Sequence, residues 1–170
     1  DEKTQDGSVI YGDDWSVSCL HTPGHTSNHI CFSWDKEKAL FPGDQVMGWS
    51  TSIVSPPDGD MGDYMRSLDK LLVRDDKIYF PAHGPEILEP QKLVSAFRDH
   101  RREREENILE CLKLGNNTID QMVKAVYQDV SESLHAAAAR SLFATVIYLV
   151  EQKKVEAMDG LDIDGRYVLT

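Results

Sequence analysis

The sequence predicts an α/β fold in two parts, a strand-rich first part and a helical second part closed by a hairpin. Three observations carry this. Short apolar runs bounded by Gly, Pro and Asp fill the first ninety residues, whereas capped segments of helical period fill the rest. The last helix is followed by two short apolar runs around Asp159-Gly160, the pattern of a β-hairpin. The acidity is also uneven: residues 1–90 carry 7 basic and 16 acidic side chains, residues 91–170 carry 11 and 13. The change falls at Pro90, so the expected domains are 1–90 and 91–170.

Each element has a local reason. Val9-Ile10-Tyr11 precedes the turn cluster Gly12-Asp13-Asp14, and Trp15 to Leu20 then alternates, with Trp15, Val17 and Cys19 on one face. His21 to Thr26 is a loop. Ile30 to Trp34 is an apolar strand ended by Asp35-Lys36-Glu37-Lys38, and Ala39-Leu40-Phe41 is a strand stopped by Pro42-Gly43-Asp44. A polar loop runs from Met47 to Asp60. Asp60 caps a helix whose apolar positions Met61, Tyr64, Met65, Leu68, Leu71 and Leu72 recur at helical spacing. Ile78-Tyr79-Phe80 is a strand running into Pro81-Ala82-His83-Gly84-Pro85. In the second part, Gln91 to Leu114 is one long helix with a charged middle. Thr118 caps a short helix from Ile119 to Tyr127, and Ser133 caps a longer one from Leu134 to Gln152. Three helices followed by a hairpin is the order of a winged-helix domain.

Composition bounds the function. The chain has 170 residues, 41% of them apolar, and a net charge of −11. That charge disfavours a broad grip on nucleic acid, which depends on neutralising phosphates with Lys and Arg. The cluster Arg98, Arg101, Arg102, Arg104 alternates with Glu103, Glu105 and Glu106, the pattern of an ion-paired helix face. No run approaches the roughly 18 apolar residues of a membrane helix. The opening Asp1-Glu2-Lys3 lacks the basic-then-apolar pattern of a signal peptide. Cys19, Cys31 and Cys111 are few, odd in number and widely spaced, which fits reduced, buried thiols and a cytoplasmic location.

His25, Asp44 and His83 are the candidate chemical residues. Each lies in a Pro/Gly-punctuated loop after an apolar strand, and chemistry gathers where strand ends present loop side chains together. Imidazole nitrogen and carboxylate oxygen suit zinc, and also iron or manganese.

The runs Thr22-Pro23-Gly24-His25-Thr26, Phe41-Pro42-Gly43-Asp44 and Pro81-Ala82-His83-Gly84 resemble the later motifs of the metallo-β-lactamase-fold hydrolases. More narrowly, the helix start Asp63-Tyr64-Met65-x-Ser67-Leu68 and the appended winged helix resemble the β-lactamase-like protein 2 group. The resemblance covers nearly the whole chain. It implies the C-terminal half of a metallo-β-lactamase αββα sandwich followed by a small winged-helix (α+β) domain.

The resemblance also implies roles. His25 would ligate a first metal, Asp44 would bridge two, and His83 would ligate the second. His29 matches a second His of the same loop, either standing beside the metals, facing substrate or serving the fold. Trp49, Ser50 and Thr51 would line the substrate or anchor a packed loop. His21, His100 and His135 carry no implied role. The implied activity is a dinuclear hydrolase, with zinc favoured over iron or manganese, in which metal-bound hydroxide attacks an ester, thioester or phosphodiester. A small ester or thioester is favoured over RNA.

The family's first signature, His-x-His-x-Asp-His, is absent from this chain. The chain is therefore expected to be a fragment, inactive alone, that leaves one apolar sheet face open unless a further segment or a homodimer partner covers it. The alternative is a non-catalytic interaction module that uses the winged helix. Its predicted third helix carries Arg140 but little other basic character, which favours packing against the first domain or a dimer partner over DNA.

Overall fold

In a computed structural model, residues 3–128 and 131–170 are described. Asp1 and Glu2, part of the charged opening read above, lie outside them. The chain divides into two compact units, Asp1–Ile53 with Asp58–Arg98, and Val54–Pro57 with Asp99–Thr170.

The first unit is built on a five-stranded sheet of β1 (Val9–Tyr11), β2 (Ser16–His21), β3 (Ile30–Trp34), β4 (Ala39–Gly43) and β5 (Ile78–Pro81), in that spatial order. β1 to β4 pair antiparallel, and β4 pairs parallel with β5. β2, β4 and β5 consequently run in one direction, so the loops at their C-terminal ends open at the same end of the sheet. Those loops carry His25, Asp44 and His83. The short run Asp35–Glu37 is a 3₁₀ turn closed by Lys38 in the left-handed conformation, and it joins β3 to β4.

Register decides the two faces, because partners across an antiparallel pair share a side. Ser33, Leu40 and Tyr79 align across three strands, with Cys31 two residues from Ser33, and all four are fully buried. The other face carries Val17, Phe32, Trp34 and Phe41, with Trp15 beside them. These five line an open trough of about 530 Å³. Trp15 is 44% exposed, and the Phe41 and Phe80 rings lie 5.7 Å apart. The apolar alternation of β2 and β3 thus yields one buried face and one open one.

Helix α1 (Met61–Leu72) begins where the sequence predicts. The Asp60 side chain accepts a hydrogen bond from Asp63 N–H, satisfying one of the free amides of the first turn. Its buried stripe of Tyr64, Met65, Leu68 and Leu71 comes from the helical spacing. The helix also braces the loops that carry His25 and Asp44. Ser67 Oγ donates to Pro23 O at 2.7 Å, Asp60 N–H donates to Gly24 O at 2.9 Å, and Tyr64 Oη donates to Gln45 O at 3.2 Å. Gly24 has φ +134°, and a Cβ there would lie 2.3 Å from Tyr64 Cα, so the close approach of loop and helix requires glycine.

α2 (Pro90–Lys113) runs from the first unit into the second. The second unit continues with α3 (Ile119–Val126), α4 (His135–Glu151) and the antiparallel pair β6 (Val155–Ala157) and β7 (Tyr167–Leu169). Ile108, Met122, Val146, Leu149, Val155 and Tyr167 lie in its core. Thr118 caps α3 through a full capping box with Gln121. Ser133 does not cap α4. Glu132–Leu134 forms a 3₁₀ turn ahead of the helix, α4 starts at His135 from Leu134 without a side-chain cap, and Ser133 Oγ instead bonds Ser131 Oγ at 3.0 Å. The extra turn places the helix start past the best capping residue.

Candidate metal centre

His25, Asp44 and His83 meet at the common end of β2, β4 and β5. His25 Nε2 lies 3.9 Å from Asp44 Oδ2, and His83 Nε2 lies 3.4 Å from Asp44 Oδ1. Each imidazole faces a different oxygen of one carboxylate. The arrangement is two pairs sharing Asp44 rather than three donors around one point. Accordingly, no group of three or more His, Cys, Asp or Glu side chains that could hold one metal ion is present among the described residues.

The protonation of His25 follows from its neighbour. Its Nδ1 lies 2.6 Å from Ile53 O, which can only accept, so Nδ1 carries the proton and Nε2 of the neutral ring is bare. In that tautomer a bare nitrogen and a carboxylate oxygen face each other with no hydrogen between them. Among the described residues, Asp44 Oδ1 is buried and finds no hydrogen-bond partner. Acceptors turned toward one another in this way fit a cation between them, and the donor set of two imidazoles and one carboxylate suits zinc, iron or manganese.

A single loop, Met47 to Ile53, touches all three residues. Gly48 N–H donates to His83 O at 2.9 Å, the Trp49 indole stacks on the His83 ring at 6.4 Å between centroids, Ser52 Oγ donates to Asp44 O, and Ile53 O orients His25. Trp49 is 69% exposed, so its other face is open. Ser50 is exposed and Thr51 half-buried in the same loop. Ser52 and Ile53 make the contacts that sequence reasoning missed. The Ile53 contribution is a backbone carbonyl, which leaves no trace in residue identity.

His29 lies beside the pair of His25 and Asp44, its ring edge-on to that of His25 at 6.4 Å. Its Nε2 accepts from Asp44 N–H at 3.2 Å, and its Nδ1 lies 2.9 Å from Thr22 Oγ1. Burial, reinforced by the neighbouring His25, lowers its pKa below the usual histidine value. Gly43 lies close against the Nε2 edge of this ring. A Cβ at Gly43 would lie 2.7 Å from His29 Nε2, and the residue has φ +55°. His21 Nε2 lies 3.0 Å from Ser27 O, while His100 and His135 lie in α2 and α4.

Comparison with known proteins fits this geometry. Residues 1–83 match the metallo-beta-lactamase superfamily, and residues 118–163 match the beta-lactamase associated winged helix domain. A beta-lactamase-like protein 2 homolog from Drosophila melanogaster is 33% identical over 86% of this chain and 50% of its own length. An atrochrysone carboxyl ACP thioesterase from Aspergillus chevalieri is 30% identical over 84% of this chain and 47% of its own. Among solved structures, a metallo-beta-lactamase family protein from Thermus thermophilus superposes with a TM-score of 0.83 at 21% identity, over 98% of this chain and 54% of that one. A beta-lactamase domain protein from Burkholderia ambifaria gives 0.87 at 16%, over 99% and 52%. These structures share the fold. The chain spans about half the length of the curated relatives it matches. The chain thus belongs, through residues 1–83, to the metallo-beta-lactamase superfamily and carries at residues 118–163 the winged helix associated with it.

Proposed function

We propose that the intact protein is a metal-dependent hydrolase of a small-molecule ester or thioester, with two zinc ions held in part by His25, Asp44 and His83. One observation supports this most: Asp44 turns its two carboxylate oxygens to two different imidazoles, and Oδ1 is buried without a hydrogen bond among the described residues. A carboxylate so placed suits a bridge between two cations. When bound, such ions polarise the scissile group and activate a water molecule at neutral pH.

The chain's own residues divide the remaining tasks. Ile53 O fixes His25 with Nε2 toward Asp44. Trp49 holds the His83 ring by stacking and offers its exposed face to a substrate. Each half of the pair brings only two donors, against the four that zinc takes. The remaining ligands are expected from a further segment of the intact protein, in keeping with the half-length match to its relatives.

The substrate class rests on charge and on the relatives. A net charge of −11 disfavours a polyanion such as RNA. A relative at 30% identity is named as an atrochrysone carboxyl ACP thioesterase. The test is turnover of ester, thioester and RNA panels by the intact protein, before and after chelation. Thioester or ester hydrolysis that disappears on chelation and returns with zinc is expected, and Asp44→Asn should lower it by roughly a thousandfold or more. Turnover indifferent to chelation, or confined to RNA, contradicts the reading.

A further inference from the structure

We infer that His29, Thr22 and Cys31 form a one-way hydrogen-bond relay that clamps the Pro42-Gly43-Asp44 turn and so sets where the Asp44 carboxylate stands. The inference rests on the reading of Asp44 as a metal ligand.

The direction of the relay is fixed at both ends. Asp44 N–H can only donate, so His29 Nε2, at 3.2 Å, must present its lone pair. In the neutral ring the proton then sits on Nδ1, which donates to Thr22 Oγ1 at 2.9 Å. The Thr22 hydroxyl gives its own hydrogen onward to Cys31 Sγ at 3.1 Å, the sense left open to it because the one thiol hydrogen goes to Pro42 O. The Cys31 thiol closes the relay by donating to Pro42 O at 3.5 Å, an atom that can only accept. Every group uses its hydrogen once and in the same sense. The relay starts at the amide of Asp44 and ends at the carbonyl of Pro42, so it grips both ends of one turn.

Burial makes this grip firm. Thr22 and Cys31 are fully buried, where an unmade hydrogen bond has no water to replace it. Burial also pushes the Cys31 thiol up to about 12, which keeps its hydrogen in place to donate. Gly43 has no side chain and allows the turn to lie against the His29 ring. The backbone bond from Thr22 N–H to His29 O, 2.9 Å, holds the two strand ends of the relay in register. His29 meets His25 only ring-edge to ring and Asp44 only at its backbone N–H, so His29, Thr22 and Cys31 are positioning residues that act through the Asp44 backbone.

Two measurements on the intact protein test this. Nitrogen NMR of ¹⁵N-labelled histidine in the metal-free protein should place the His29 proton on Nδ1. Thr22→Val, which removes the acceptor, should erode that preference, and Thr22→Ser should restore it. A His29 proton on Nε2 overturns the relay. The second measurement is cobalt(II) affinity by competition with a chelator. His29→Gln can place an oxygen where Nε2 stands and accept from Asp44 N–H, and should keep the wild-type affinity. His29→Asn reaches Thr22 but not Asp44, and should weaken affinity about 10- to 100-fold. Equal affinities for the two variants overturn the relay. If His29→Asn does not fold, the Thr22→Val and Thr22→Ser pair gives the same comparison. Asp44→Ala separates the two readings. If it binds cobalt as tightly as wild type, the metal reading fails. If it loses cobalt while His29→Asn or Thr22→Val keeps it, only the relay fails.

Discussion

Gly43 has little freedom to change. Its left-handed backbone and its place against His29 Nε2 together exclude a side chain. Gly43→Ala should cost about 2 kcal/mol in folding free energy and should weaken metal binding as well, because the ring it displaces holds the Asp44 amide. Denaturant midpoints and chelator competition on the same variant check both effects. His29 gives a second prediction. Its folded pKa lies below that of the unfolded chain, so as pH falls the unfolded state takes up this proton first. Stability from this group is therefore complete above about pH 6.5 and is lost as pH falls through the lowered folded value. Urea midpoints from about pH 8 to about pH 5 should fall less steeply in His29→Gln than in wild type. An equal slope would show that the acid sensitivity lies elsewhere.

At the scale of elements, Arg74 joins three parts of the first unit. It follows α1, bonds Asp76 at 2.6 and 2.8 Å, reaches Ser33 Oγ in β3, and approaches Asp35 at 3.5 Å. Its backbone carbonyl, with that of Asp76, accepts from Gln91 Nε2 at the start of α2. The Asp76 side chain is only 2% exposed. Arg74→Ala would leave that carboxylate buried without its counter-ion and should destabilise the fold by about 3 kcal/mol, measurable by denaturant unfolding. Replacing the exposed Arg66, whose Asp63 partner is an ion pair on the helix surface, should change stability by less than about 1 kcal/mol. Contacts of this kind also mark the limit of sequence reading. Strands, caps at Asp60 and Thr118, and the hairpin are legible because each is signalled within a few residues. The convergence of His25, Asp44 and His83 is suggested by the strand-then-loop pattern and follows from the shared direction of β2, β4 and β5. The buttressing by Ser52 and Ile53, and the links from Thr22 to Cys31 and Pro42, are not legible. They join backbone atoms or small side chains from distant segments, and no periodicity records such contacts. Ser133 reads as a cap from its residue type, but the 3₁₀ turn ahead of α4 takes up that position instead.

For the whole molecule, the open face of Trp15, Val17, Phe32, Trp34 and Phe41 is the dominant feature of the first unit. The five side chains that line it are all apolar, while His25, Asp44 and His83 lie instead at the strand ends. Contiguous apolar surface of this kind marks a place where other protein packs. Residues 1–170 should associate with one another and bind an apolar dye strongly, and a protein in which a further segment packs on this face should do neither. Sedimentation and dye fluorescence of the two forms check this, and a monomeric, dye-silent 170-residue chain would show that the face needs no cover. Among the described residues no helix is long and apolar enough to cross a membrane.

Metal content per chain of the intact protein, measured beside its Asp44→Ala variant, tests the central claim most directly. A carboxylate shared by two imidazoles predicts about two ions per chain in the wild type and a clear loss in the variant. Equal metal in both proteins, or none in either, would contradict it.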